Sequence, residues 1–221
     1  MNYQQMFQSV KRQLSSAGAR IVWEDCDAPL AERERRRFME NEALRLPDAW
    51  LEFFNELSGL AFIWRLIDPA GQSQLNGFFT FQDFRRFMEN DTTDLLWCDW
   101  YEEDDIAEMK THHILERFEG HDAYVTVKFK EDGSYDLFFV DGDLINHGGS
   151  KKLPRIPLTL RQYVEVVTGY WGVYSVRYHL HKQDFYVNPE KYIPELGELK
   201  ALFPGFEPPT FNPFETQNPG T

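Results

Sequence analysis

The chain has 221 residues, of which 42% are hydrophobic and 16% aromatic, and this apolar content excludes an intrinsically disordered protein. The length fits one domain with appendages. A formal net charge of −13 opposes a phosphate backbone, so nucleic acid is excluded as an expected ligand and a cationic partner is favoured. An acidic surface can also do no more than keep a protein soluble. The position of the charged residues in the sequence has to distinguish this explanation from a cationic partner.

The two cysteines and the N-terminus predict the compartment. Cys26 and Cys98 are far apart in sequence and form no CxxC motif, so neither a disulfide framework nor a thiolate zinc site is expected. The first residues lack the apolar stretch of a signal peptide, and no apolar run is long enough to span a bilayer. We expect a cytoplasmic protein without membrane contact.

The N-terminal part of the chain predicts helices. Apolar residues recur at steps of three and four from Tyr3 to Leu14, which indicates an amphipathic helix ending near Gly18. Residues 27–42 mix arginine with glutamate, a pattern typical of an exposed helix face. Pro47 suits the first turn of a core helix that ends at Gly59 and buries Trp50, Phe53, Phe54 and Leu57.

The middle of the chain alternates between strand and helix patterns. Two strands are predicted at residues 60–67 and 75–81, and helical spacing returns between Phe81 and Met88. A hairpin follows, with strands at 123–129 and 135–140 joined by a turn that contains Asp132-Gly133.

Toward the C-terminus a last core helix is predicted. Thr159 and Gln162 form a capping-box pattern, after which an apolar stripe runs from Leu160 to Trp171. The segment beyond Phe203 is rich in Pro and Gly and is expected to be extended or disordered.

This order of elements predicts an α+β fold. Consecutive strands joined by short turns favour a single antiparallel-rich sheet with helices packed mainly on one side. We expect an N-terminal helical segment at 1–45, a core domain at 46–175 and a C-terminal extension at 176–221.

No catalytic signature is present in the sequence. It lacks a P-loop, a GxGxxG after a strand, a GxSxG elbow and an HExxH motif, and no cofactor is expected. Two placements of histidine in the sequence are suggestive. His112 and His113 would diverge on a helix and fit surface or boundary positions, whereas His179 and His181 would share one face of a strand and could hold a metal together with Asp184. Spacing fixes no third ligand, so the metal-dependent hydrolase is the remote alternative.

The strongest local anomaly is the acidic segment, residues 89–108, which has no Lys or Arg. It contains nine acids, namely Glu89, Asp91, Asp94, Asp99, Glu102, Glu103, Asp104, Asp105 and Glu108. Large aromatic residues among like charges are typical of an interface, because the ring anchors the contact and the charge speeds encounter with a basic partner. The predicted partner-binding residues are Trp97, Asp99, Trp100, Tyr101, Glu102, Glu103, Asp104 and Asp105. The alternative is that Asp104 and Asp105 only begin a helix while the tryptophans point inward.

The order of several segments resembles one known superfamily. The stretch NEALRLPDAWLEFFNELSG is similar to the signature of the SUKH superfamily, the Smi/Knr-like proteins. Four further segments follow in that superfamily's order, and the resemblance covers roughly residues 40–170. They are the LAFIW strand, the strand-to-helix segment GFFTFQDFRRF, the YVTVKFKEDGSYDLFFVDGD hairpin and the PLTLRQYVEVVTG helix.

The resemblance implies a non-enzymatic bacterial immunity protein that binds and neutralises a toxin, often a nuclease. Other members of the superfamily resemble regulatory scaffolds of cell-wall synthesis. An inhibitor of a basic nuclease presents carboxylates where the toxin expects phosphates, and the acidic segment is compatible with that role. The sequence leaves the oligomeric state open.

Overall fold

A computed structural model describes residues 1–42, 44–67, 73–90, 92, 102–118, 120–142, 153–203 and 205–214. The fold class is α+β, as predicted. The sheet has seven strands in the order β1 to β7, so that each strand neighbours the next in sequence. No described helix has the length and apolar character needed to cross a bilayer.

The strands are short to medium in length. They are β1 Arg20–Cys26, β2 Leu60–Ile67, β3 Ser73–Phe81, β4 His112–Phe118, β5 Ala123–Phe129, β6 Tyr135–Asp141 and β7 Arg155–Ile156. The pairs from β3 to β7 are antiparallel, and the register of β4 on β5 shifts between Ile114 and Glu116, which marks a bulge.

The described α-helices precede, interrupt and follow the strands. They are α1 Tyr3–Ser16, α2 Glu32–Glu42, α3 Asp48–Glu56, α4 Phe84–Glu89, α5 Glu103–Met109, α6 Leu160–Gly169, α7 Gln183–Val187 and α8 Leu196–Leu202. Two 3₁₀ helices lie at Tyr174–His179 and Pro189–Lys191.

The chain divides into two compact units. Unit 1 comprises Met1–Asp25, Ala61–Phe79 and Pro157–Thr221, and unit 2 comprises Cys26–Leu60 and Thr80–Ile156. The division of the sequence at residues 45 and 175 stays a prediction.

The core of unit 1 is built on the apolar face of α1. This helix packs against α6 and buries Tyr3, Met6, Phe7, Val10 and Leu14. The Phe7 ring meets the rings of Phe62 and Phe79 edge to face, with centroids 6.4 and 5.1 Å apart. The predicted stripe at steps of three and four residues is therefore the buried face of the helix.

A tightly bonded turn follows α6 in unit 1. Trp171 adopts a left-handed φ of 54°, and its carbonyl accepts a 2.7 Å hydrogen bond from the indole of Trp64. The fully buried Arg177 donates to the carbonyls of Gly172 and Phe78, each at 2.9 Å. These bonds satisfy the buried guanidinium, which would otherwise be costly to remove from water.

The core of unit 2 is an aromatic cluster around α3 and α4. Trp50 is fully buried and stacks on Phe87 at 5.3 Å, while Phe129 and Tyr135 meet it edge to face. The buried indole Nε1 of Trp50 has no hydrogen-bond partner in the described part of the chain. Ring packing therefore outweighs the loss of one hydrogen bond at this position.

The sequence patterns located several elements and missed others. The predicted strands at 60–67 and 123–129 match β2 and β5, and the capped helix after Thr159 is α6. Three strands, β1, β4 and β7, were not predicted, and neither were the short helices between residues 174 and 202. The expectation that His112 is a surface or boundary residue is wrong: it lies on β4 and is fully buried.

Candidate functional site

The predicted partner-binding residues fall in unit 2, and the structure describes half of them. Trp97, Asp99, Trp100 and Tyr101 lie outside the described residues. The other four are consecutive, with Glu102 at the N-cap of α5 and Glu103, Asp104 and Asp105 in its first turn.

Short-range polar contacts explain why the helix begins at this point. The backbone N–H of Glu102 donates to Asp105 Oδ2 at 3.1 Å. Three acids in the first turn also interact favourably with the positive end of the helix dipole. The alternative reading, that Asp104 and Asp105 begin a helix, is thus correct as a statement of local structure, and it leaves the direction of the tryptophans untested.

The exposed carboxylates of this turn are not neutralised by described cations. Glu103 and Asp104 are exposed, and neither forms an ion pair with a described residue. Like charges on adjacent positions raise the local negative potential at a solvent-facing surface. The first turn of α5 is consequently a negatively charged patch of at least two free carboxylates.

The far end of α5 is attached to the sheet. Both carboxylate oxygens of Glu108 accept hydrogen bonds from Lys128 Nζ on β5, each at 2.7 Å. The same carboxylate lies 3.3 Å from His112 Nε2 on β4, and Met109 packs among Ile114, Tyr124, Val140 and Leu153. The helix is therefore fixed at its C-terminal end by an ion pair, a histidine contact and an apolar anchor.

The buried imidazole of His112 completes this attachment. Its Nδ1 lies 2.9 Å from Thr126 Oγ1. Because the Glu108 carboxylate can only accept, the neutral ring donates from Nε2 to Glu108 and accepts from the threonine hydroxyl at Nδ1. Burial lowers the pKa of His112, although Glu108 opposes this shift, while the hydrogen bond from Lys128 lowers the pKa of Glu108.

The order Thr126, His112, Glu108 has the connectivity of a nucleophile, a base and an orienting acid. Thr126 and His112 are nevertheless fully buried in the described part of the chain, where the hydroxyl has no contact with solvent. None of the cavities described below is lined by Thr126. The geometry supports the attachment of α5, and sequence analysis missed it because it treated His112 as if it lay on a helix.

Of the residues considered for metal binding, His179 and Asp184 have other partners, whereas the buried Nδ1 of His181 has no hydrogen-bond partner among the described residues. His179 ends a 3₁₀ helix in place of the expected strand, and its Nδ1 lies 3.1 Å from Lys182 Nζ. The carboxylate of Asp184 accepts from Asn188, Lys191 and Tyr192 at 2.7, 2.7 and 2.9 Å, and these bonds lower its pKa to about 2. Among the described residues, no three His, Cys, Asp or Glu side chains are grouped so that they could hold a metal ion.

Each unit also has surface cavities. The one in unit 1 measures about 760 Å³ and lies between α1, α6 and the segment around Phe206. Two of its polar groups are already engaged, since the Trp171 indole donates to Gln13 at 2.9 Å and Glu165 pairs with Arg161 at 2.6 Å. A smaller cavity of about 340 Å³ in unit 2 is lined by Gln82, Arg86, Glu89, Asn90, Ile114 and Arg117.

Comparison with known proteins finds no matching family model, no matching curated protein and no matching solved structure.

Proposed function

We propose that this protein is a non-enzymatic binding module of the immunity type, which neutralises a cognate basic toxin domain. The binding surface comprises Trp97, Asp99, Trp100, Tyr101, Glu102, Glu103, Asp104 and Asp105. The observation that carries the proposal is the pair of exposed, unneutralised carboxylates, Glu103 and Asp104, on a helix whose opposite end is fixed.

Attachment of α5 supports a binding role because it reduces the cost of ordering on association. Lys128 and His112 both hold Glu108, so α5 does not depend on a partner for its position on the sheet. Lost side-chain and loop freedom is a major cost of binding, and preorganisation lowers it.

The acids and the aromatic residues of the surface have different roles. Carboxylates on a −13 chain steer a cationic partner and increase the association rate. Trp97, Trp100 and Tyr101 supply the apolar contacts that slow dissociation, since aromatic anchors carry most of the energy at interface centres. For a nuclease toxin, the carboxylates occupy the positions that substrate phosphates would take.

A regulatory or scaffold protein with a cellular partner is the second candidate. It rests on the same acidic surface and the same resemblance, and the identity of the partner separates the two. Binding and inhibition of the polypeptide encoded by the adjacent gene favours immunity, whereas capture of a host-cell protein without inhibition of any toxin favours the scaffold.

The test neutralises the two first-turn carboxylates, Glu103 and Asp104, and leaves the hydrogen bond from the Glu102 N–H to Asp105 in place. We expect E103Q/D104N to slow association with the adjacent-gene polypeptide by about tenfold at low salt, with a much smaller change in the dissociation rate. The rates are measured by stopped-flow fluorescence at several salt concentrations. The difference from the unsubstituted protein should shrink as salt rises, because screening weakens long-range steering.

A matched control removes the same charge elsewhere in unit 2. E52Q/E131Q also neutralises two exposed acids, one on α3 and one in the β5–β6 turn. It should leave the association rate within about twofold of the original, since steering depends on charge close to the binding surface. Equal slowing by both double variants would show that net charge alone acts, and unchanged kinetics in E103Q/D104N at low salt would exclude α5 as the site.

A further inference from the structure

Strand β1 is an edge strand with exposed apolar side chains. It is the first strand in the order of the sheet, so its outer backbone groups face no other described strand. Val22 is 46% exposed and Trp23 is 44% exposed, and together they account for two of the five large apolar residues that are exposed in the described chain.

Such an edge usually carries protection against pairing with other chains. Proline, a central lysine or a very short length are the common devices. β1 has seven residues, no proline and no lysine, and its charged residues, Arg20, Glu24 and Asp25, lie at its two ends. The centre of the strand is therefore an open, apolar template for another strand.

Contacts within unit 1 assign the faces of β1. Lys11 of α1 forms an ion pair with Glu24 and also lies 5.0 Å from the centroid of the Phe62 ring. Glu24 therefore lies on the face of the sheet that α1 covers. Because side chains alternate along a strand, Arg20 and Val22 share this face, and Ile21 and Trp23 lie on the opposite one.

We propose that β1 is a homodimer interface, in which two copies of this chain pair their β1 strands in antiparallel fashion across a two-fold axis at Val22. The axis is perpendicular to the sheet, so residues on the same face come opposite each other. In this register Arg20 lies opposite the partner's Glu24, and Ile21 lies opposite the partner's Trp23. Each pair occurs twice, and Val22 pairs with the partner's Val22.

Charge and apolar complementarity select this register over its neighbour. An axis at Trp23 would place Val22 opposite the partner's Glu24, and Ile21 opposite the partner's Asp25. Both of those pairs set an apolar side chain against a carboxylate, whereas opposite charges and aromatic–β-branched pairs stabilise adjacent strands. Arg20 has no ion pair among the described residues, so it is available to the partner's Glu24.

The short overlap predicts a weak dimer. Five residues, from 20 to 24, face each other, and an interface of this kind is well below the area of stable obligate dimers. The repulsion between two copies with a charge of −13 weakens it further at low salt. The dimer is therefore expected to form reversibly as concentration rises.

Sedimentation equilibrium of the full-length chain at near-physiological salt, from about 5 to about 500 µM, tests the proposal. We expect a monomer–dimer equilibrium. V22K places two lysines opposite each other on the axis and should raise the dissociation constant at least about tenfold. V187K, which alters an exposed valine on α7, is the matched control and should leave the constant unchanged.

Charge exchange tests the register. R20E and E24R should each weaken the dimer by about fivefold or more. R20E/E24R should recover part of this loss, because the exchange rebuilds the pair across the axis while the ion pair between Lys11 and Glu24 is lost. Circular dichroism of every variant checks that the fold is retained. Three results would overturn the proposal: a monomer at all concentrations, a dimer that survives V22K, or protection of β1 from hydrogen exchange only when a different protein is bound. Failure of the rescue would overturn the register.

Discussion

At the residue scale, His179 is held in its neutral form. Its ring lies 5.0 Å from that of Tyr192 and stacks on Phe185 at 6.5 Å, while Lys182 Nζ lies next to its Nδ1. Burial, together with the positive charge of Lys182, lowers the pKa of His179 to about 4. Protonation would set a second cation beside the ammonium group.

This environment predicts a loss of stability in acid. The pKa of His179 is about 6.5 in the unfolded chain and about 4 in the folded protein. At a pH between these two values, the unfolded state therefore binds more protons than the folded state. The contribution of His179 is therefore fully present above pH 6.5 and is lost as the pH falls toward 4. We expect H179F, which keeps an aromatic ring and removes the titration, to lose less unfolding free energy between about pH 6.5 and about pH 4.5 than the original chain does.

Urea denaturation at the two pH values measures the effect. H121Q, a substitution of an exposed histidine, is the reference variant against which the change in H179F is compared. Part of the slope persists in H179F, because burial also lowers the pKa of His112 and of His181. An identical slope in H179F and the original chain would contradict the prediction.

At the element scale, α6 begins with a reciprocal pair of side-chain bonds. The N–H of Thr159 donates to Gln162 Oε1 at 2.9 Å, and Thr159 Oγ1 accepts from the N–H of Gln162 at 3.3 Å. Two backbone donors that α6 cannot satisfy internally are thereby paired. This motif could be predicted from the sequence because all of its partners lie within three residues.

Removing the cap should cost a measurable part of the stability. We expect T159A to lower the free energy of unfolding by about 1 kcal/mol, because one N–H at the start of the helix loses its acceptor. T159S keeps the hydroxyl and should stay within a few tenths of a kcal/mol of the original. Denaturant titration of both variants provides the measurement, and an equal loss in the two would assign the effect to the methyl group instead of the cap.

Element prediction succeeded where the pattern was local and failed where it was not. The period of 3.6 residues identified α1, and a short apolar run bounded by turn residues identified β2. β4 begins with two histidines and contains Glu116 and Arg117, so composition did not indicate a strand. Its position follows from antiparallel pairing with β5, which brings His112 opposite Lys128.

At the scale of the whole molecule, the net charge is −13, and most ion pairs among the described residues lie at the surface. Exposed pairs contribute about 0–1 kcal/mol each, and they are screened by salt in the same way as the repulsion that opposes folding. Thirteen negative charges have no positive counterpart, and they repel one another. This repulsion is therefore larger than the stabilisation by the surface ion pairs.

We therefore expect the free energy of unfolding to rise when sodium chloride increases from about 10 to about 150 mM, the range over which the screening length falls most steeply. Urea denaturation at fixed pH gives the value at each salt concentration. An equal osmolality of sucrose controls for general solute effects. A fall in stability over this range would show that surface ion pairs dominate the electrostatic free energy.

The sequence by itself determined the fold class, the faces of α1 and α3, the β5–β6 hairpin and the start of α6, because each depends on residues that are close together in the chain. It also singled out the acidic run that begins α5. Only the tertiary structure decided that His112 is buried between Glu108 and Thr126, that Lys128 fixes α5 to the sheet, and that β1 is an exposed edge. Those facts depend on which strands become neighbours and on what covers them, and these properties are set by packing between segments distant in sequence.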